Sequence, residues 1–161
     1  DPANIQVALR APVGYALGDG RVTFSLALRN KETDETIAVA NAMALSEAPL
    51  SPALLRRETP GTRIWSFNVT PEQRDATIAA RETALNWETR EADMRQMSIA
   101  VDTRPCLMPG ANPCREPKLT IFMKTALESD WMTLVRESDD YQMTGAGDIG
   151  ACETVPAGAV E

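Results

Sequence analysis

The sequence predicts a mainly β domain, an antiparallel β-sandwich of about seven strands with one short helical insert. A partly open barrel is the alternative. Three observations lead to this fold class. Apolar residues alternate with polar or small residues along most of the chain, as they do in strands with one buried face. Turn-forming residues separate the alternating segments at short intervals. The regular succession of strand and helix that is typical of parallel sheets is missing.

The first half of the chain contains four alternating segments. They are residues 5–11, 21–30, 37–45 and 63–69. The polar stretch 31–36 separates the second segment from the third, so we expect these two strands to form an antiparallel hairpin. Three prolines in segment 46–62 exclude a regular strand there. Within that segment, Ser51 and Pro52 predict one helical turn that reaches Arg57.

The second half begins with a helix and continues with strands. Thr70, Pro71 and Gln73 form a helix-start signature, and the Ala-, Glu- and Arg-rich sequence after them predicts a helix through about residue 84. Alternation within residues 83–90 leaves a strand as the alternative for that stretch. Three further strands are predicted at residues 96–104, 118–126 and 130–138.

The length of 161 residues indicates one domain with a tail. We expect the sandwich domain to comprise residues 1–143. Residues 144–161 are rich in Gly and Ala and contain few large apolar side chains, so they are predicted to form an extended C-terminal tail unless Cys152 ties them to the domain.

The charge balance and the missing histidines exclude several function classes. The chain has 16 basic and 23 acidic residues, and its net charge is −7. Nucleic-acid binding requires cations that displace the counterions of the phosphate backbone, so we expect no nucleic-acid partner. The absence of histidine removes the commonest general base and the commonest zinc ligand. We therefore expect no enzymatic activity, no metal and no cofactor, with a carboxylate-based enzyme as the less favoured alternative.

Residues 145–150 read GAGDIG and match the dinucleotide-binding pattern G-x-G-x-x-G letter for letter. That pattern binds a pyrophosphate only where it follows a strand and opens a helix. The residues after it include Pro156, and no strand–helix–strand unit surrounds it. We interpret the match as coincidental.

The three cysteines predict a disulfide rather than a metal site. They lack the CxxC spacing that lets two thiolates bind one zinc ion. Cys106 and Cys114 flank a short loop between two predicted strands, so they are the predicted disulfide pair. A bridge from either residue to Cys152 and the absence of any bridge are the alternatives. A disulfide is typical of proteins in an oxidising compartment.

In strand pattern and cysteine use, the chain resembles processed β-sandwich domains of bacterial envelope proteins and lipoproteins. The resemblance implies a periplasmic or cell-envelope location. The chain begins with Asp1 and Pro2 rather than Met, so we expect either a processed chain or a piece excised from a longer one, without a visible signal peptide. A lipid anchor upstream of the given chain is compatible with the first interpretation. No apolar run is long enough to predict a transmembrane segment.

These observations predict a non-enzymatic envelope or secreted module for protein interaction or structural assembly, with another protein as partner. The expected contact is a sheet edge or the loop 46–62. Within that loop, the interaction candidates are Leu54, Leu55, Arg56 and Arg57. Their structural alternative is that the leucines pack inward while the arginines point to solvent. A small-ligand pocket between the sheets is the alternative function.

Overall fold

The computed structural model describes residues 4–18, 20–87, 94–111, 118–126, 129–135 and 149–153. Within these ranges the fold is mainly β, and the predicted antiparallel sandwich is confirmed with ten strands rather than about seven. In chain order the elements are β1 (Gln6–Pro12), β2 (Tyr15–Ala16), β3 (Val22–Asn30), β4 (Thr36–Ala42), β5 (Ala44–Leu45), α1 (Pro52–Leu55), β6 (Thr62–Asn68), α2 (Pro71–Leu85), β7 (Arg95–Thr103), β8 (Cys106–Leu107), β9 (Thr120–Lys124) and β10 (Met132–Val135).

The strands form two main sheets and one short ribbon. The larger sheet has five strands in the order β10-β9-β1-β6-β5, and the smaller sheet has three in the order β4-β3-β7. The ribbon joins β2 to β8. All of these pairings are antiparallel, and the predicted hairpin of β3 and β4 is confirmed. The strands β1 and β3 therefore lie at the centres of their sheets.

The main hydrophobic core lies between the two sheets. The smaller sheet contributes Val22, Phe24 and Leu26 from alternate positions of β3, and all three are buried. The larger sheet contributes Leu9 from β1 and Phe67 from β6, both fully buried. Because burying one such side chain contributes about 1.5–3 kcal/mol, this layer is the principal source of stability.

A second cluster covers the opposite face of the larger sheet. Leu54 of α1 is only 1% exposed and packs there, and the other buried members of this cluster are Ala8, Ile64, Phe122 and Trp131. The predicted helical turn is confirmed as α1, although it ends at Leu55 rather than at Arg57. Ser51 caps it, because Ser51 Oγ accepts a hydrogen bond from the N–H of Leu54 at 3.4 Å. The larger sheet is therefore buried on both faces.

The predicted helix is confirmed as α2, which begins after Thr70. The backbone N–H of Thr70 donates to Gln73 Oε1 at 3.2 Å, as the helix-start signature requires. The pKa of Glu72 is lowered because its own backbone N–H and the Thr70 hydroxyl donate hydrogen bonds to the carboxylate. The alternative prediction was a strand over residues 83–90. It is wrong for residues 83–85, which form the last turn of α2, and residues 88–90 lie outside the described ranges.

The helix α2 packs against β3 and β4. A buried hydrogen bond links the helix to the smaller sheet: Asn41 Nδ2 of β4 donates to Thr77 Oγ1 of α2 at 2.9 Å. The Thr77 hydroxyl in turn donates to the carbonyl oxygen of Gln73 at 2.9 Å, so both polar groups are paired. Among the described residues, no helix combines the length and the apolar character needed to cross a membrane.

The chain changes sheet at Met43, where one strand was expected over 37–45. The strand β4 ends in the smaller sheet, whereas β5 pairs with β6 of the larger sheet. Met43 lies buried between them and donates its N–H to the carbonyl oxygen of Val22 at 2.8 Å. The alternating pattern continues through this crossing without Gly or Pro, so it predicts a single strand where the structure has two.

Part of the predicted tail joins the body of the domain. Of residues 144–161, the structure describes 149–153. Ile149 packs against the main core, and Ala151 forms a parallel bridge with Leu107. The predicted domain boundary at residue 143 lies outside the described ranges and stays a prediction.

The packing of α1 leads to a test that compares two neighbouring leucines. We expect Leu54→Ala to lower the free energy of unfolding by about 2–5 kcal/mol, because it opens a cavity beneath α1. Leu55 is 52% exposed, so Leu55→Ala should change that free energy by less than about 0.5 kcal/mol. Urea denaturation followed by tryptophan fluorescence measures both variants. Equal losses in the two variants would contradict the placement of α1.

Candidate functional site

The four interaction candidates predicted from the sequence differ in their exposure. Leu54 is buried between α1 and the larger sheet and offers no surface to a partner, so its proposed contact role is corrected to a packing role. Leu55 and Arg56 are exposed, and Arg57 is half-buried. As contact residues, these three remain predictions.

Arg57 is held in place across the outer face of the larger sheet. Its guanidinium carbon lies 5.1 Å from the centroid of the Phe122 ring. Its Nη2 donates to the carbonyl oxygen of Trp131 at 2.7 Å, and its Nη1 donates to Thr133 Oγ1 at 3.4 Å. A cation over an aromatic face contributes about 0.5–1 kcal/mol where it is partly exposed. The side chain is thus fixed by one ring and two oxygen acceptors.

Arg10 of β1 lies against the same ring, and sequence reasoning missed it. Its guanidinium carbon is 5.9 Å from the Phe122 centroid. Its Nη1 donates to the carbonyl oxygen of Arg57 at 2.7 Å, and its Nη2 donates to Thr120 Oγ1 at 3.1 Å. In the alternating segment 5–11, Arg10 occupies a polar position, and the pattern alone assigns such a position to solvent.

A cleft of about 390 Å³ lies beside these side chains, and we call it the arginine cleft. Besides Phe122, its described lining consists of three arginines and three threonines, namely Arg10, Arg56, Arg57, Thr59, Thr120 and Thr133. Within the described part of the chain, no carboxylate lines it. Positive charge is therefore concentrated at one place on a protein whose net charge is −7, which favours an anion there.

The free side of β7, which we call the β7 edge, is a second candidate site. The N–H of Arg104 donates to the carbonyl oxygen of Arg21 at 2.8 Å, and the N–H of Lys31 donates to that of Met94 at 2.9 Å. In the antiparallel register, these bonds place the even-numbered residues of β7 in the ladder with β3. The odd-numbered residues from Arg95 to Thr103 consequently direct their backbone N–H and C=O groups away from β3. No described strand pairs with this edge.

An apolar groove of about 240 Å³ lies next to the β7 edge. Its described lining is Ile5, Leu26, Leu28, Arg81, Met97, Ile99 and Thr125. Met97 of β7 is 63% exposed although it is large and apolar. Met97 and Ile99 share a face with Leu28 and Leu26, their partners on β3. A strand added at the β7 edge would therefore place alternate side chains along this groove.

The predicted disulfide partner of Cys106 is wrong. Cys106 is bonded to Cys152, with the two Cα atoms 4.9 Å apart, so the alternative bridge to Cys152 is confirmed. Two backbone hydrogen bonds hold the segment around Cys152 against β8. The N–H of Cys152 donates to the carbonyl oxygen of Leu107 at 2.9 Å, and the N–H of Leu107 donates to the carbonyl oxygen of Gly150 at 3.0 Å. The short separation favoured Cys114, which lies outside the described residues.

The disulfide gives a second test with a matched control. The bond joins residues 46 positions apart, and a ring of that size is worth about 4 kcal/mol in the chain-entropy model. We expect Cys152→Ser to lower the free energy of unfolding by up to that amount under non-reducing conditions, as measured with urea. Cys114→Ser should leave the stability unchanged. Mass spectrometry of the unreduced digest should find the 106–152 cross-link in that control, and its absence would contradict the pairing.

No family model matches the chain, and neither a curated protein nor a solved structure matches it. Its function is therefore inferred from its own surfaces. Two of the described surfaces that offer specific contacts are the arginine cleft and the β7 edge.

Proposed function

We propose that this chain is a non-enzymatic module for structural assembly that pairs with a second copy of itself along the β7 edge. The observation that carries the proposal is a regular, nine-residue edge strand that no described strand covers. Monomeric proteins usually protect such an edge with proline, lysine or a bulge. The strand β7 contains neither proline nor lysine, and its register with β3 has no bulge.

The sequence of β7 is complementary to itself when two copies pair antiparallel about Ile99. In this arrangement Ile99 faces its own counterpart, and Met97 faces Val101, so both central contacts are apolar. The remaining pairs are Arg95 with Thr103, Gln96 with Asp102, and Ser98 with Ala100. No like charges oppose each other, a juxtaposition that would destabilise the pair.

The backbone geometry fits the same register. Met97, Ile99 and Val101 direct their N–H and C=O groups away from β3, and these groups would form the hydrogen-bonded pairs of the extended sheet. Their side chains share one face with the apolar groove, so the second copy would shield the exposed Met97 from water. Two three-stranded sheets would then become one continuous sheet of six strands.

We extend the proposal to location, with the module secreted or attached to the cell envelope outside the cytoplasm, for example in the periplasm. The bond between Cys106 and Cys152 is compatible with such an oxidising compartment. A lipid anchor upstream would hold paired copies at one membrane surface and so raise their effective concentration. The partner in this proposal is thus a second copy of this protein rather than an unrelated one.

The alternative function, binding of a small ligand between the sheets, is supported by the apolar lining of the same groove. Its volume of about 240 Å³ lies below the range of about 300–1,000 Å³ that is usual for small-molecule sites. A groove of this size is better filled by the side chains of an added strand than by a separate small molecule. The assembly proposal is therefore the favoured one.

Sedimentation velocity of the full chain over a wide concentration range tests the proposal. We expect a monomer–dimer equilibrium in the wild-type protein. Met97→Pro removes one outward N–H but no ladder bond to β3, so the domain should stay folded while the dissociation constant rises at least about tenfold. Circular dichroism and the urea midpoint check that the variant is folded.

Ala40→Pro on the opposite edge of the same sheet is the matched control. The N–H of Met43 donates to the carbonyl oxygen of Val22, and the N–H of Asn30 donates to that of Glu35. In this register the even-numbered residues of β4, Ala40 among them, direct their backbone N–H and C=O groups away from β3. This variant should dimerise like the wild type. A wild-type chain that stays monomeric at every concentration, or equal effects of the two prolines, would overturn the proposal.

A further inference from the structure

We infer that the arginine cleft binds the phosphate group of a small organic ligand. This inference is independent of the assembly proposal, because the arginine cleft and the apolar groove have no described lining residue in common. The ligand class follows from the charge, the donors and the size of the cleft.

The charge of the cleft selects an anion. Three guanidinium groups line it, and within the described part of the chain neither Arg56 nor Arg57 forms an ion pair. The like charges of Arg56 and Arg57 repel one another, and the described contacts of the Arg57 guanidinium are with uncharged groups, namely the Phe122 ring, the Trp131 carbonyl oxygen and the Thr133 hydroxyl. A doubly charged anion in the cleft would offset this repulsion better than a singly charged carboxylate. This favours a phosphate monoester, whose charge near neutral pH is between −1.5 and −2.

The donors of the cleft suit a tetrahedral oxyanion. A guanidinium group has five N–H donors, and Arg57 uses two of them on Trp131 and Thr133. Because these two contacts and the Phe122 ring already hold the side chain, ligand binding need not order it. Exposed Arg56 adds guanidinium donors from the turn after α1. Paired N–H groups of arginine are well matched to phosphate oxygens.

The size of the cleft indicates more than a bare ion. Its volume of about 390 Å³ falls within the range of about 300–1,000 Å³ that is usual for small-molecule sites. A phosphate group bonded to the arginines would leave room for an organic body of about the size of a monosaccharide. The inferred ligand is therefore a small phosphate monoester.

Isothermal titration calorimetry of the full chain at constant ionic strength tests this inference. The probes are glucose 6-phosphate, inorganic phosphate, acetate and glucose. We expect the two phosphates to bind and to compete with each other, whereas acetate and glucose should not bind measurably. Arg56→Gln should weaken phosphate binding at least about tenfold, because it removes one charge-assisted contact.

Arg74→Gln is the matched control, because it makes the same change of charge at an exposed position on α2. It should leave phosphate binding unchanged. Arg57→Gln should also weaken binding, and because this residue contacts Phe122 and Trp131, its fold is checked by circular dichroism. Exposed Arg56 keeps the test decisive if the Arg57 variant unfolds.

Three outcomes would overturn the inference. In the first, neither phosphate probe binds the wild-type chain. In the second, Arg56→Gln and Arg74→Gln weaken binding equally, which would reveal only the general charge of the protein. In the third, inorganic phosphate binds but glucose 6-phosphate does not, which would exclude an organic phosphate of this size as the ligand.

Discussion

The burial of both faces of the larger sheet is the constraint on which the rest of the structure depends. At the centre of that sheet, Leu9 enters the main core while its neighbour Ala8 packs beneath α1. The α1 segment, with its prolines, is therefore a structural cover rather than a free loop. Arg10 shares the covered face, and its charge is accommodated at the margin of the cover, where the arginine cleft lies. No element in the described part of the chain covers the outer face of the smaller sheet, where Ala38 and Ala40 are exposed.

The two proposed sites depend on different forces and respond differently to salt. Pairing along β7 rests on apolar contacts and backbone hydrogen bonds, which are nearly insensitive to ionic strength. The arginine cleft must attract an anion to a protein whose net charge of −7 repels anions. At physiological ionic strength the Debye length is about 8 Å, so the distant acidic groups are largely screened while contacts inside the cleft persist. Local positive charge therefore outweighs the net charge of the whole protein.

The sequence predicts the long elements well because their periodicity spans many residues. The hairpin of β3 and β4, the strand β7 and the helix α2 each repeat their pattern over several turns or pairs. Two-residue strands such as β2 and β8 have no period, and the change of sheet at Met43 interrupts no alternation. The pairing of Cys106 with Cys152 and the position of Arg10 over Phe122 join residues far apart in sequence. Such contacts follow from packing in three dimensions, and no local pattern predicts them.

The position of Cys152 near the end of the chain determines when its disulfide with Cys106 can form. As the chain emerges, Cys106 can meet Cys114 well before residue 152 exists, and the shorter loop closes at a smaller entropic cost. The bond to Cys152 can form only after residue 152 has been made. It forms either when an oxidant of the compartment removes two electrons from the Cys106 and Cys152 thiols, or by exchange, in which the Cys152 thiolate attacks Cys106 of an earlier bond to Cys114 and Cys114 leaves as a thiolate. The final linkage thus marks a chain that has been made through residue 152 and folded against β8.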